Sequence, residues 1–170
     1  AIVSVLPKAT VETYTRVFRD AGLRPVALEI EGHALARAVI PESDHAVIMI
    51  VDFGKWRTGI AIAVERTLRF SATLPFGGSH LNKAIMEKFQ VGEDEAERMK
   101  RSKEAVPKAH HQEFKELVAS SLAILADEIS KYKLFWQDHK DEAGEGRETL
   151  AEVVLCGGAA NVRGIAAILH

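Results

Sequence analysis

Ala46-Val47-Ile48-Met49-Ile50-Val51-Asp52-Phe53-Gly54-Lys55-Trp56-Arg57-Thr58-Gly59-Ile60-Ala61-Ile62-Ala63-Val64 reads as an apolar strand, a tight turn and a second apolar strand. An Asp at a strand end followed by Gly lets backbone N–H groups approach an anion, and lets the carboxylate hold a hydrated metal ion. Much later, Val153-Val154-Leu155-Cys156-Gly157-Gly158-Ala159 ends another apolar strand in a Gly-Gly turn that opens a helix. Such a pair lets backbone lie flat against a base or sugar. Taken singly, each segment is also ordinary turn chemistry. Their order, and what lies between them, predict two walls of a nucleotide cleft.

The pattern before the first motif is β-α-β-α. Residues 1–6 read as a strand closed by Pro7, and Thr10 is placed to cap a helix that Gly22 ends. Residues 25–30 read as a second strand and 32–39 as a short helix stopped by Pro41. A β-meander follows, with strands expected at 45–53, 58–64 and 68–74. Gly77-Gly78-Ser79 opens a helix with Ser79 as its N-cap. Gly92 precedes another, whose acids Glu93, Asp94 and Glu95 come first and whose bases Arg98, Lys100 and Arg101 come last, matching the helix dipole. A long helix over 108–136 carries Val118, Leu122, Leu125, Ile129 and Tyr132 on one stripe. The charged run 138–147 reads as an exposed loop. Strand 152–156 and helix 161–169 complete the chain.

Composition narrows the function classes. A chain of 170 residues that is 47% hydrophobic can bury a sizeable core. A net charge of −2 argues against a dedicated nucleic-acid binder. The single cysteine, Cys156, rules out an internal disulfide and a cysteine-based zinc site. The longest apolar run, 46–51, is too short to span a bilayer, so no direct membrane insertion is expected and any membrane association comes through a partner. Both ends read as cut points within a longer protein.

Three strands, a Gly-Gly helix, two further helices, a strand and a second Gly-Gly turn resemble the second half of the actin-like ATPase fold. Asp52-Phe53-Gly54 through Thr58-Gly59 is similar to that superfamily's second phosphate motif. Phe76-Gly77-Gly78-Ser79 matches its Gly-Gly turn, Glu95-Ala96-Glu97-Arg98-Met99-Lys100 its ribose- and adenine-touching helix, and Leu155-Cys156-Gly157-Gly158-Ala159 its adenosine motif. Ala21-Gly22-Leu23-Arg24-Pro25, Leu28–Glu31 and His33–Ala38 are similar to the PilM family of type IV pilus assembly proteins. The resemblance implies an α/β chain: an actin-like (ribonuclease H-like) lobe with a mixed sheet flanked by helices, plus part of a small inserted α/β subdomain. It places the end of that subdomain at 1–22, a return strand and connector at 23–44, and the second lobe, truncated, at 45–170.

The resemblance further implies ATP and Mg²⁺ as ligands of the full-length protein. The nucleotide-binding set is Asp52, Gly54, Thr58, Gly77, Gly78, Glu97, Lys100, Gly157, Gly158 and Ala159, with Asp52 holding Mg²⁺ through water. Thr58 is a secondary candidate, since a strand threonine is its everyday role. Glu97 and Lys100, three apart on a helix, also suit a plain surface ion pair. Where the superfamily has small residues, this chain has Lys55-Trp56-Arg57. These side chains either crowd the phosphates or, through Lys55 and Arg57, bind them as cations. No catalytic residue is identified. The implied role is a cytoplasmic scaffold, held at the inner membrane through partners, that docks the cytoplasmic N-terminal tail of an inner-membrane pilus protein (PilN-like) beside other pilus assembly proteins. Hydrolysis is expected to be slow or absent, and the isolated piece inactive. The alternatives are an active ATPase or phosphotransferase of the same fold, or a membrane tether like the cell-division protein FtsA.

Overall fold

The first three strands of the central sheet are joined by turns too short for any connection but a hairpin. The computed structural model describes residues 5–139 and 148–169. Strand β1 (Val47–Phe53) pairs antiparallel with β2 (Thr58–Val64), Val47 facing Val64 and Phe53 facing Thr58. β2 pairs antiparallel with β3 (Thr67–Leu74) across a turn in which Glu65 and Arg66 both have positive φ, the twist that a two-residue hairpin requires. β4 (Leu150–Cys156) lies parallel to β1 on its other side, giving the order β3-β2-β1-β4. A parallel return needs a long crossover. Three helices supply it: α3 (Gly78–Phe89), α4 (Glu93–Arg101) and α5 (His111–Asp138).

Strand alternation sorts the core into two layers. Val47, Met49, Val51 and Phe53 point to one face, against Leu81 and Ile85 of α3 and Leu122 and Leu125 of α5. Ile48 and Ile50, with Ala61 and Ala63, point to the other, beneath Ala36 and Ile40 at helix α2 (Glu31–Val39). β1 is therefore covered on both faces, which is why it reads as an unbroken apolar run instead of an alternating one. On α5 the expected stripe is buried at Val118, Leu122, Leu125 and Ile129. It extends to Trp136, whose indole N–H donates to the Glu148 carbonyl at 2.9 Å. The result is the mixed sheet flanked by helices that the sequence implied.

Several element ends differ from the sequence reading. Helix α1 (Lys8–Asp20) starts ahead of Thr10, with Pro7 at its N-cap; Gly22, at φ 74°, ends the segment as expected. Of the strand expected at 1–6, residues 1–4 lie outside the described residues, and Val5 and Leu6 belong to no strand. Residues 25–30 also form none: Val26 is 98% exposed, and the segment pairs with no strand among the described residues. Gly77, not Ser79, caps α3. The helix expected over 161–169 is split into a 3₁₀ turn, Gly158–Asn161, and helix α6 (Ile165–Leu169), because Gly164 takes φ 75° between them. Most of the loop read at 138–147 lies outside the described residues. Among the described residues no helix is long and apolar enough to cross a membrane.

Candidate functional site

The turn between β1 and β2 is built around Gly54, whose N–H donates to the Arg57 carbonyl at 3.0 Å. The first Gly-Gly pair locks this turn to α3. Gly78 N–H donates to the Gly54 carbonyl at 2.9 Å and Ser79 N–H to the Lys55 carbonyl at 2.8 Å. A Cβ on Gly77 would stand 2.6–2.7 Å from Lys55 O, Arg57 N and Gly54 O, so only glycine lets the two backbones approach. The amides at the start of α3 are thus bonded within the chain. Thr58 is fully buried, and its hydroxyl donates to the Phe76 carbonyl at 2.7 Å. Thr58 and Gly77 lie beneath the turn and do not line the neighbouring groove.

That groove, of about 300 Å³, opens between α3, α4 and the Gly157-Gly158 turn. It brings together Lys55, Gly78, Glu97, Lys100, Gly158 and Ala159 of the sequence-predicted set. Lys100 is 3% exposed, and its ammonium sits 2.7 Å from Glu97 Oε2. Glu97 also accepts from Arg101 Nε at 2.9 Å and Asn82 Nδ2 at 3.2 Å. Burial pushes the Glu97 carboxyl up, but Lys100, Asn82 and Arg101 outweigh it and hold the group below its ordinary value. A Cβ on Gly78 would meet Ala159 Cβ at 2.8 Å and Lys100 Nζ at 3.5 Å. The two Gly-containing turns therefore touch through Gly78 and Ala159. Past them, α4 is tied down by Arg163 N–H donating to the Lys100 carbonyl at 3.0 Å.

Asn82 is a groove residue that the sequence reading missed. It is 4% exposed, and its Oδ1 has no hydrogen-bond partner among the described residues. Because the Glu97 carboxylate only accepts, the amide nitrogen must face it, and the oxygen is left buried without a partner among the described residues. The available signal was position: Asn82 lies four residues after Gly78, on the same face of α3.

Asp52 and Gly54 do not line the groove. Asp52 lies at the end of β1, against Gly157, whose φ is 90°. A Cβ on Gly157 would fall 2.4 Å from Asp52 Oδ1 and 2.6 Å from the Phe53 carbonyl. Among the described residues the Asp52 carboxylate accepts no hydrogen bond and forms no ion pair. A carboxylate without a protein partner fits the holding of a hydrated divalent cation. The thiol of Cys156 is pushed up to about 11, chiefly by burial, with Asp52 and Glu31 adding negative charge. Glu31, the first residue of α2, thus reaches the same end of the sheet, a second placement that the sequence reading did not identify.

The crowded turn is also resolved. Trp56 is 69% exposed and does not line the groove. Lys55 pairs with Glu93 at 2.9 Å and lies 4.9 Å over the Trp56 ring; Arg57 pairs with Glu31 at 3.3 Å. Each of the two cations proposed for phosphate already has a carboxylate partner.

A family model described as type IV pilus assembly protein PilM matches residues 2–170. The chain belongs to the PilM family. Among solved structures it is similar to a PilM–PilN type IV pilus biogenesis complex, at 21% identity and TM-score 0.69 over 94% of this chain and 44% of that one. It is also similar to the ethanolamine utilization protein EutJ of Carboxydothermus hydrogenoformans, at 24% identity and TM-score 0.72 over 99% of this chain and 54% of that one. A third likeness is to MreB5 of Spiroplasma citri bound to ADP, at 19% identity and TM-score 0.64 over 95% of this chain and 57% of that one. These likenesses establish an actin-like ATPase fold for this PilM-family chain, which spans about half the length of the structures it matches. No curated protein sequence matches it.

Proposed function

We propose that this PilM-family chain supplies one wall of an ATP-binding cleft, in a cytoplasmic scaffold that docks the N-terminal tail of a PilN-like inner-membrane protein during type IV pilus assembly. In this reading 45–170 is the second lobe, 23–44 the connector and 1–22 the end of the small subdomain. The observation that carries it is the groove that brings Glu97, Lys100, Asn82 and Gly158 together beside the contact of Gly78 with Ala159. A nucleoside suits this surface: its O–H groups can donate to the Glu97 carboxylate, and its flat base can lie against Gly158. When bound, Mg²⁺ supplies charge neutralisation at the phosphates, and Asp52 is the residue to hold it through water. Gly54 and Gly157 keep the turns near Asp52 close, and Thr58, Gly77 and Ala159 keep them packed.

Binding is favoured over turnover because Lys55 and Arg57 each have to leave a carboxylate before they can serve a phosphate. The test is calorimetry of the full-length protein with Mg-ATP, alongside phosphate release and anisotropy of a labelled tail peptide. Expected are ATP binding, slow release, and tail affinity that changes with nucleotide. Glu97→Gln should weaken ATP binding by about tenfold, the size of one lost polar contact. Wild-type protein that binds no nucleotide would overturn the reading; rapid hydrolysis with no tail binding would transfer it to the ATPase alternative.

A further inference from the structure

A second and larger groove, of about 670 Å³, lies between the link from α4 to α5 and helix α6. Its floor is apolar, with Met99, Val106 and Val118 buried and Phe114 half-buried. Its rim carries Lys103, Lys108, Lys115 and Arg163, all exposed. None of these four cations forms an ion pair among the described residues, and no Asp or Glu lines the groove. Of the nearby acids, Glu104 accepts from the Ser102 hydroxyl and feels the charges of Arg163 and Lys103 without an ion pair to either, Glu113 pairs with Lys88 and His110, and Glu116 accepts from Gln112.

The clustering is not a by-product of general basicity, because the chain has a net charge of −2. Other surface bases do pair with acids, as in Lys55–Glu93, Arg98–Glu95 and Arg101–Glu97, whereas these four, without an ion pair among the described residues, share one rim. Unpaired like charges around an apolar slot repel one another, and an acidic ligand relieves that repulsion while covering the floor. The wall is preset: a His111 ring nitrogen lies 2.8 Å from the Val106 carbonyl, fixing the entry to α5.

We propose that this groove docks a segment of a partner protein that carries acidic residues around one or two large apolar anchors. A chain segment fits better than a flat charged surface does, because the apolar floor residues are buried or half-buried and the cations exposed: Arg163 comes just before α6, and Lys103, Lys108 and Lys115 come from the link and α5. An amphipathic helix laid in the slot would place its anchors on Val106 and Phe114 and its acids against the rim. The inference is independent of nucleotide binding, since the two grooves have no lining residue in common.

The test is selection from a random-peptide display library on the full-length protein, followed by anisotropy with the enriched peptides. Expected are sequences with Asp or Glu flanking aromatic or aliphatic anchors. Their affinity should fall about tenfold or more in Lys103→Glu/Lys115→Glu and fall steeply with salt. Ala167→Trp, which fills the slot at an exposed position without removing charge, should also block them while the melting temperature stays unchanged. Enriched peptides without acids, none enriched, or equal binding to both variants would overturn the proposal. So would charge-dependent co-sedimentation with phosphatidylserine vesicles in the absence of peptide binding, or a self-association that the same charge reversal abolishes.

Discussion

The two Gly-Gly pairs look alike in the sequence and do different work in the fold. In Gly77-Gly78 both residues are buried, and both are needed for close packing: Gly77 against the β1–β2 turn, Gly78 against Ala159. In Gly157-Gly158 the labour is divided. Gly157 takes a φ of 90° against Asp52 and Phe53, whereas an added Cβ on Gly158 meets nothing within 4 Å. A glycine pair therefore marks a place where backbones converge, and only the surroundings decide whether a ligand or the protein itself fills the space. Here the first pair is filled from within, and one residue of the second is left open to the groove.

Substitutions can break this comparison at graded cost. Gly157→Ala combines a left-handed conformation with backbone contact and should cost about 3 kcal/mol or more in urea denaturation. A loss below about 1 kcal/mol would mean that the turn relaxes freely. Gly78→Ala should cost about 1–3 kcal/mol, because its obstacle is a single methyl. Adding Ala159→Gly removes that methyl, so the double variant should recover about 1 kcal/mol; strict additivity would refute direct contact between the turns.

A third comparison sets pH against the ion pair. Glu97 is held below its ordinary value of 4.5 in the folded protein, so its charged form is favoured by folding. Its stabilising contribution is complete above that ordinary value and is lost as pH falls through the lower folded value. The stability gap between wild type and Glu97→Gln should thus be level near neutrality and close only in acid below pH 4.5. A gap that closes between pH 7 and pH 5 would contradict the assignment. The smallest effect on folding belongs to Gly158→Ala, expected within about 0.5 kcal/mol of wild type. The same variant should still weaken nucleotide binding, and unchanged affinity would remove Gly158 from the ligand surface.

The sheet was legible because burial writes itself into β1 and β2 as apolar runs of strand length bounded by turn residues. The stripe on α5 and the charge gradient on α4 were legible for similar local reasons. Helix starts were less so. Ser79 has cap chemistry, yet the bonds from Gly78 and Ser79 to Gly54 and Lys55, residues distant in sequence, set where α3 begins. Residues 25–30 are apolar enough for a strand, but a strand exists only with a partner, and among the described residues none pairs with this segment. In the candidate groove, Glu97, Lys100 and Gly158 were singled out by motif and are brought together, whereas the placements of Asn82 and Glu31 needed the packing of α3 and α2 to come into view. Thr58 shows the converse, a motif residue whose hydroxyl is taken up by the Phe76 carbonyl.

The half-buried thiol at the end of β4 has a practical consequence. Cys156 is the only cysteine of these 170 residues, and a thiol raised to about 11 is almost wholly protonated at mildly alkaline pH, where an exposed thiol near 8.5 is substantially ionised. Maleimide dyes should therefore ignore Cys156 and react with a cysteine introduced on either groove rim. These 170 residues can therefore carry a fluorophore or spin label at a chosen rim position without first removing their own sulfur.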